Sequence, residues 1–198
     1  APARLSSILH LHEGRRVAVA PSAKVARAIV AVEDERFFSH GALDFVALGR
    51  VALDTLTAGG VDAGGSTISQ QLAKTLYVRR PDSLGARLRA IGLAFKLEDR
   101  YSKAQILGMY LNAIYFGNGF YGVERASRGY FGRSVAKLSW AQATLLAGLP
   151  QAPSAFDPFV HPGLARVRRR EVLRQLVARN ILSAAAADRI ARAPLALR

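Results

Sequence analysis

The chain has 198 residues, carries 28 Lys and Arg against 14 Asp and Glu for a net charge of +14, and is 51% apolar. That length and apolar content exclude a disordered polymer and support one domain, or at most two small lobes, with a real core. The absence of cysteine excludes disulfides and thiolate metal sites, and the basic balance selects anionic partners: nucleic acid, an acidic membrane surface or a phosphorylated substrate.

No run of about 18 apolar residues occurs, so the chain is not expected to cross a bilayer. No signal peptide is evident at Ala1, and any anchoring is expected from a segment absent from this chain. Residues 8–20 suggest no more than a small β element. Ser22 reads as an N-cap, followed by Val25, Ile29 and Val32 at helical spacing. That helix is expected to end near 33–38, with Gly41 turning the chain. Gly59-Gly60 and the run 62–65 mark a functional loop around 57–66. Thr67 and Gln70 have capping-box spacing, so the next helix is expected to start near Thr67. Its polar face would carry Thr67, Gln70, Gln71 and Lys74, with Ile68 and Leu72 opposite. After a loop at 79–82, Leu84, Leu88, Ile91 and Phe95 repeat at steps of four, three and four, which predicts one buried face. Ser102 with Gln105 and Ser139 with Gln142 form further capping boxes. Gly117-Asn118-Gly119 and 150–162 read as loops, and Ser183 caps a last helix before Pro194. The pattern is a mainly α single domain without internal repeats.

Two blocks carry chemistry. The first is Glu33-Asp34-Glu35-Arg36-Phe37-Phe38-Ser39-His40-Gly41. Crowded acids and the apolar Val32, Phe37 and Phe38 raise a carboxyl pKa toward that of a general base. The plainer reading is an acidic helix end partnered by Arg36. The second block is Gly64-Gly65-Ser66-Thr67-Ile68-Ser69-Gln70-Gln71-Leu72-Ala73-Lys74. A helix start, hydroxyls, two amides and a lysine suit an anion. It is not a P-loop, because no lysine directly follows the glycine.

These blocks resemble the first two motifs of glycosyltransferase family 51, the peptidoglycan glycosyltransferases of monofunctional polymerases and class A penicillin-binding proteins. The resemblance continues through Leu97-Glu98, Tyr101-Ser102-Lys103, Ile106-Leu107, Tyr110-Leu111-Asn112, Tyr115-Phe116-Gly117, Tyr121-Gly122 and Tyr130-Phe131-Gly132. It ends in Leu146-Ala147-Gly148-Leu149-Pro150, Ala152-Pro153-Ser154 and Arg169-Arg170-Glu171-Val172-Leu173. It implies a lysozyme-like domain with a small membrane-facing jaw at roughly 42–65, where Phe45, Val46, Leu48, Val51, Leu53 and Leu56 would either meet lipid headgroups or form a plain core helix. The implied activity is polymerisation of lipid II at the outer face of the bacterial cytoplasmic membrane. Glu33 would be the catalytic base. Arg36, Ser66, Thr67, Gln70, Gln71, Lys74 and Arg87 would hold substrate pyrophosphate, supported by Asp34, Phe37 and His40. The implied partners are lipid II, the nascent glycan chain and an anionic membrane surface, with a transpeptidase domain or cell-wall synthesis proteins also possible. Nucleic acid is disfavoured, since no recognition motif occurs.

One departure from that family bears on catalysis, while Gly108, where the family carries a glutamate ahead of Tyr110, is read as a surface difference. Eight residues before Leu97-Glu98, where the family places a second glutamate in an Arg-Lys-x-x-Glu segment, this chain has Ala90. Arg87 preserves the segment's cation. The divalent cation, Mg²⁺ or Mn²⁺, associated with that glutamate lacks this carboxylate, and no metal ligands are assigned. Glu98 lies two helical turns on, about 12 Å by helix rise, too far for a simple substitute. Three readings follow: a lipid II polymerase, a weakened lipid II-binding module, and a lysozyme-like hydrolase. Hydrolysis needs a proton donor and a placed water, whereas pyrophosphate leaves without an acid, so a lone Glu33 favours transfer. His40 is read as ordering its loop and Asn112 as bracing a helix end. Tyr110, Tyr115, Phe116, Tyr130 and Phe131 are read as core, and Arg166, Arg168, Arg169 and Arg170 as a solvated helix face or, alternatively, a contact to lipid phosphates.

Overall fold

The computed structural model describes residues 20, 23–50, 65–77 and 84–198. The Ser22 cap, the β element, most of the 57–66 loop, the 79–82 loop and the jaw residues Val51, Leu53 and Leu56 lie outside them. The helices are α1 (Lys24–Glu33), α2 (Ile68–Tyr77), α3 (Leu84–Arg100), α4 (Lys103–Ala113), α5 (Val123–Phe131), α6 (Trp140–Gly148), α7 (Pro162–Ala178) and α8 (Ala184–Arg192). Residues 45–50 are also helical. Among the described residues, β structure is limited to an isolated bridge between Tyr115 and Tyr121. The mainly α expectation therefore holds.

Helix α1 carries the first motif into the core. Val25, Ala26, Ala28, Ile29 and Ala31 are buried, and the helix packs on α6 and α7. Helix α6 is apolar almost all round, as expected of a helix enclosed by others. Both predicted capping boxes form: Ser102 accepts from the Gln105 amide and Ser139 from the Gln142 amide, each glutamine returning to the cap backbone. Ser183 accepts from the Ala186 amide and starts α8.

Helix α3 presents the opposite face from the one its large residues suggest. Leu84, Leu88 and Phe95 are 74%, 61% and 52% exposed, while Ala86, Ala90, Ala94 and Leu97 are buried. Both sets repeat at helical spacing, and periodicity identifies a stripe without saying which way it points. The alanine stripe offers a low-relief surface for close packing, and α2 is the helix against which α3 packs most extensively.

The arginine cluster also departs from a uniformly solvated face. Arg166 and Arg170 are exposed, but Arg169 is 1% exposed. Its guanidinium donates to the carbonyls of Ala191, Ala193 and Pro194, tying α7 to the end of α8. Of the aromatics, Tyr110, Phe116, Tyr130 and Phe131 are buried, whereas Tyr115 is partly exposed.

Candidate active site

Glu33 is the last residue of α1, where the helix ends and the chain turns. It is half-buried on the wall of a cavity of about 760 Å³. Ser66, Thr67, Gln71, Gln151, Arg168 and Gln175 share that wall. Burial pushes the Glu33 carboxyl above its ordinary range. A hydrogen bond from Gln71 and the charge of Arg168 oppose that rise, and Asp34 adds to it. The acidic run thus acts chiefly through desolvation and less through crowding. Glu35 goes the other way, held low by hydrogen bonding from Arg50 against burial, with Arg179 also lowering it.

Gln71 is oriented from behind. Its Nε2 donates to Glu33 Oε2 at 3.1 Å, and its Oε1 accepts from the Tyr110 hydroxyl at 2.8 Å. An ionised carboxylate only accepts, so the amide must turn its nitrogen to Glu33 and its oxygen to Tyr110. Tyr110 is 1% exposed, and burial, then Glu33 and Asp34, push its phenol well above the usual value. It therefore stays a neutral donor. Sequence reasoning placed Tyr110 only in the core, since nothing local connects it with Gln71.

The remaining motif residues form the support. Asp34 Oδ2 accepts from the Ile68 amide at 2.9 Å, and its Oδ1 lies 2.6 Å from His40 Nε2. His40 Nδ1 lies 2.6 Å from the Gly41 carbonyl, so the ring braces the loop. Thr67 Oγ1 donates to the Ala42 carbonyl at 2.9 Å and accepts from the Gln70 amide at 3.3 Å. Gln70 Nε2 also donates to Ala42 O. Only half of the predicted capping box forms here, because the Gln70 side chain reaches across to Ala42, just beyond the first motif. Thr67 and Gln70 are consequently buried, and the expected solvent-facing polar side of α2 is partly an internal seam. Phe37 fills the core under this seam, with Lys103 Nζ 4.4 Å from its ring centre.

The expected cations fall in different places. Arg36 pairs with Asp44 at 3.4 Å and lines a neighbouring pocket with Phe38 and Arg179. Lys74 is exposed on α2, Arg87 is exposed on α3, and neither lines the Glu33 cavity. The guanidiniums that line it are Arg50, Arg168 and Arg179. In the sequence Arg168 is one of a cluster of arginines, and its i−4 relation to the buried Val172 is the signal for a semi-internal position.

Fit to a divalent cation is poor at the position the family resemblance indicated. Ala90 is buried on α3 and offers no ligand atom. Glu98 is engaged by Ser69 Oγ and by Lys103 Nζ at 2.7 Å, knitting α2, α3 and α4 together. Asp34, His40 and Asp44 do cluster, with ligand atoms within 4.8 Å of one another. Each is already engaged. Burial pushes the Asp44 carboxyl up, but the amides of Ala47 and Val46 with Arg36 and His40 outweigh it and hold the carboxyl low.

Comparison with known proteins identifies the family. The family model described as Transglycosylase matches residues 10–177. The chain is similar to penicillin-binding protein 1A of Aquifex aeolicus, 45% identical over 153 residues covering 77% of this chain and 21% of that protein. It is 38% identical to penicillin-binding protein 1F of Bacillus subtilis over 161 residues, covering 81% of this chain and 22% of that protein. A crystal structure of penicillin-binding protein 1A from Haemophilus influenzae aligns with a TM-score of 0.47 at 27% identity, covering 65% of this chain and 16% of that one. The chain spans about a fifth of the length of the curated relatives.

Proposed function

The chain belongs to the transglycosylase family and is a peptidoglycan glycosyltransferase domain, and from that premise we propose that it polymerises lipid II into β-1,4-linked glycan. Glu33 removes the proton from the acceptor 4-hydroxyl. The oxygen then attacks the donor anomeric carbon from the face opposite the pyrophosphate, inverting an α-linked donor. The C1–O bond breaks, its electron pair leaves with undecaprenyl pyrophosphate, and the glycan gains one disaccharide. The observation that carries this reading is Glu33 itself: a carboxyl with a raised pKa, open to a cavity and fixed by Gln71. A base for a sugar hydroxyl needs those three properties. A pyrophosphate leaving group needs no acid, so no second carboxylate is required for proton transfer.

Membrane-bound substrate calls for a membrane-facing surface. Phe45, Val46 and Leu48 are exposed, as is the Leu84, Leu88 and Phe95 stripe of α3. Arg87, Arg89, Lys96 and Arg100 are exposed on the same helix as that stripe. Apolar side chains beside basic ones suit an anionic bilayer surface, and a lipid II substrate makes the outer face of the cytoplasmic membrane the surface expected in this reading. Among the described residues no helix is long and apolar enough to cross a membrane.

One observation favours a second reading. With alanine at 90, the chain lacks the second family carboxylate, and a lipid II-binding module follows if that group is indispensable. Incubation with labelled lipid II separates the cases. A ladder of glycan lengths supports the polymerase, binding without a ladder supports the module, and digestion of finished sacculi would mean a hydrolase.

A further inference from the structure

Any anion that enters the Glu33 cavity needs donors, and most obvious ones are occupied. The N-terminus of α2 is turned inward: the Ile68 amide is capped by Asp34 and the Gln70 amide by Thr67. Two of the three lining guanidiniums converge on Glu35. Arg50 Nη2 is 2.9 Å from Glu35 Oε1, and Arg179 Nη2 bonds Glu35 Oε2. Arg179 Nη1 also donates to the Gln175 carbonyl at 3.0 Å.

Arg168 differs from both. Its stem is gripped, and its terminal nitrogens are not. Nε donates to the Gly148 carbonyl at 3.2 Å, and the guanidinium carbon lies 5.9 Å from the Phe156 ring centre. Gly148 is shaped around it: a Cβ added there would stand 2.8 Å from Arg168 Cγ. Among the described residues, no acceptor meets the two terminal nitrogens. A half-buried guanidinium fixed at its inner edge presents a ready two-pronged donor for an oxyanion.

We propose that Arg168 is the anion anchor of this cavity, binding an oxyanion of the substrate, a diphosphate or a carboxylate, beside Glu33. The assignment rests on the Glu33 cavity being the substrate site and adds which side chain grips the charge. Two sources carry that chemistry: the lipid-linked diphosphate and the carboxylates of the stem peptide. Both offer paired oxygens matching the guanidinium fork.

The test uses the whole chain with Arg168→Met and, because loss of the arginine can disturb α7, also Gly148→Ala, which displaces the Arg168 stem while keeping its charge. Binding of inorganic pyrophosphate is measured by calorimetry on parent and variants. Apparent KM is measured for lipid II with free and with amidated stem-peptide carboxylates. The expected result is a KM rise of about tenfold or more in Arg168→Met with a smaller rise in Gly148→Ala. If the diphosphate is the ligand, pyrophosphate binding weakens in parallel and amidation leaves the penalty intact. If a carboxylate is the ligand, the penalty disappears with amidated substrate. Parental KM in a folded Arg168→Met, or a change confined to the pH profile of kcat, overturns the proposal by making Arg168 only a counter-charge to Glu33. Pyrophosphate binding needs no turnover, so a chain that makes no glycan but loses pyrophosphate affinity in Arg168→Met overturns the polymerase reading and leaves the anchor standing.

Discussion

Tyr110 reaches Glu33 through Gln71: the phenol hydroxyl fixes the amide at 2.8 Å, and the amide fixes the carboxylate at 3.1 Å. Removing the hydroxyl with Tyr110→Phe lets the amide rotate and leaves Gln71 Oε1 without its donor. A neutral hydrogen bond of this kind contributes about 1 kcal/mol to stability. The expected outcome is a thermal midpoint a few degrees lower, a glycan-forming rate reduced about tenfold, and an activity inflection moved to higher pH. The direction follows because the Gln71 bond lowers the Glu33 pKa. A pH–rate profile compared with the parent checks it.

Glu33 should weaken the fold at neutral pH. Its folded pKa lies above the ordinary carboxyl value of 4.5, so between those two pKa values the folded state binds more protons than the unfolded state. Stability then falls as pH rises through that window. Glu33→Gln removes the buried charge and is expected to melt higher than the parent at pH 7, the gap closing below about pH 4.5, the unperturbed carboxyl value. Melting curves across pH 3–8 supply the comparison, and equal midpoints throughout would contradict the raised pKa.

Arg169 is a structural arginine. Its guanidinium serves the carbonyls of Ala191, Ala193 and Pro194, which Arg169→Met strands. A loss of about 2–4 kcal/mol is expected, against less than about 0.5 kcal/mol for the exposed neighbour in Arg170→Met. Urea denaturation of the two variants measures the difference.

The outward stripe of α3 predicts a lipid phenotype without a folding one. Leu88→Glu with Phe95→Glu alters side chains that are mostly in water, so stability should change by less than about 1 kcal/mol for the pair. Sedimentation with vesicles containing phosphatidylglycerol should fall several-fold, and unchanged co-sedimentation would remove α3 from the membrane surface.

Much of this arrangement is legible in the chain. Ser102, Ser139 and Ser183 announce their helices because a cap is a local device, decided within four residues. The two motif blocks and their order carry the family resemblance. What local pattern cannot convey is direction and partnership. Thr67 and Gln70 have the spacing of a capping box, yet the Gln70 amide finds Ala42, far off in sequence. The apolar repeat of α3 points outward because its alanines provide the packing surface. Tyr110 and Arg168 look like core and solvent face until tertiary folding carries one behind Gln71 and the other onto the wall of the Glu33 cavity.

The central claim is that one carboxylate, Glu33, is the base for glycan elongation. It is tested most directly by following labelled lipid II in the parent and in Glu33→Gln, with lipid II binding measured alongside. The account predicts a glycan ladder from the parent, no ladder from Glu33→Gln, and lipid II affinity retained within a few-fold. A Glu33→Gln chain that elongates glycan at the parental rate would contradict it.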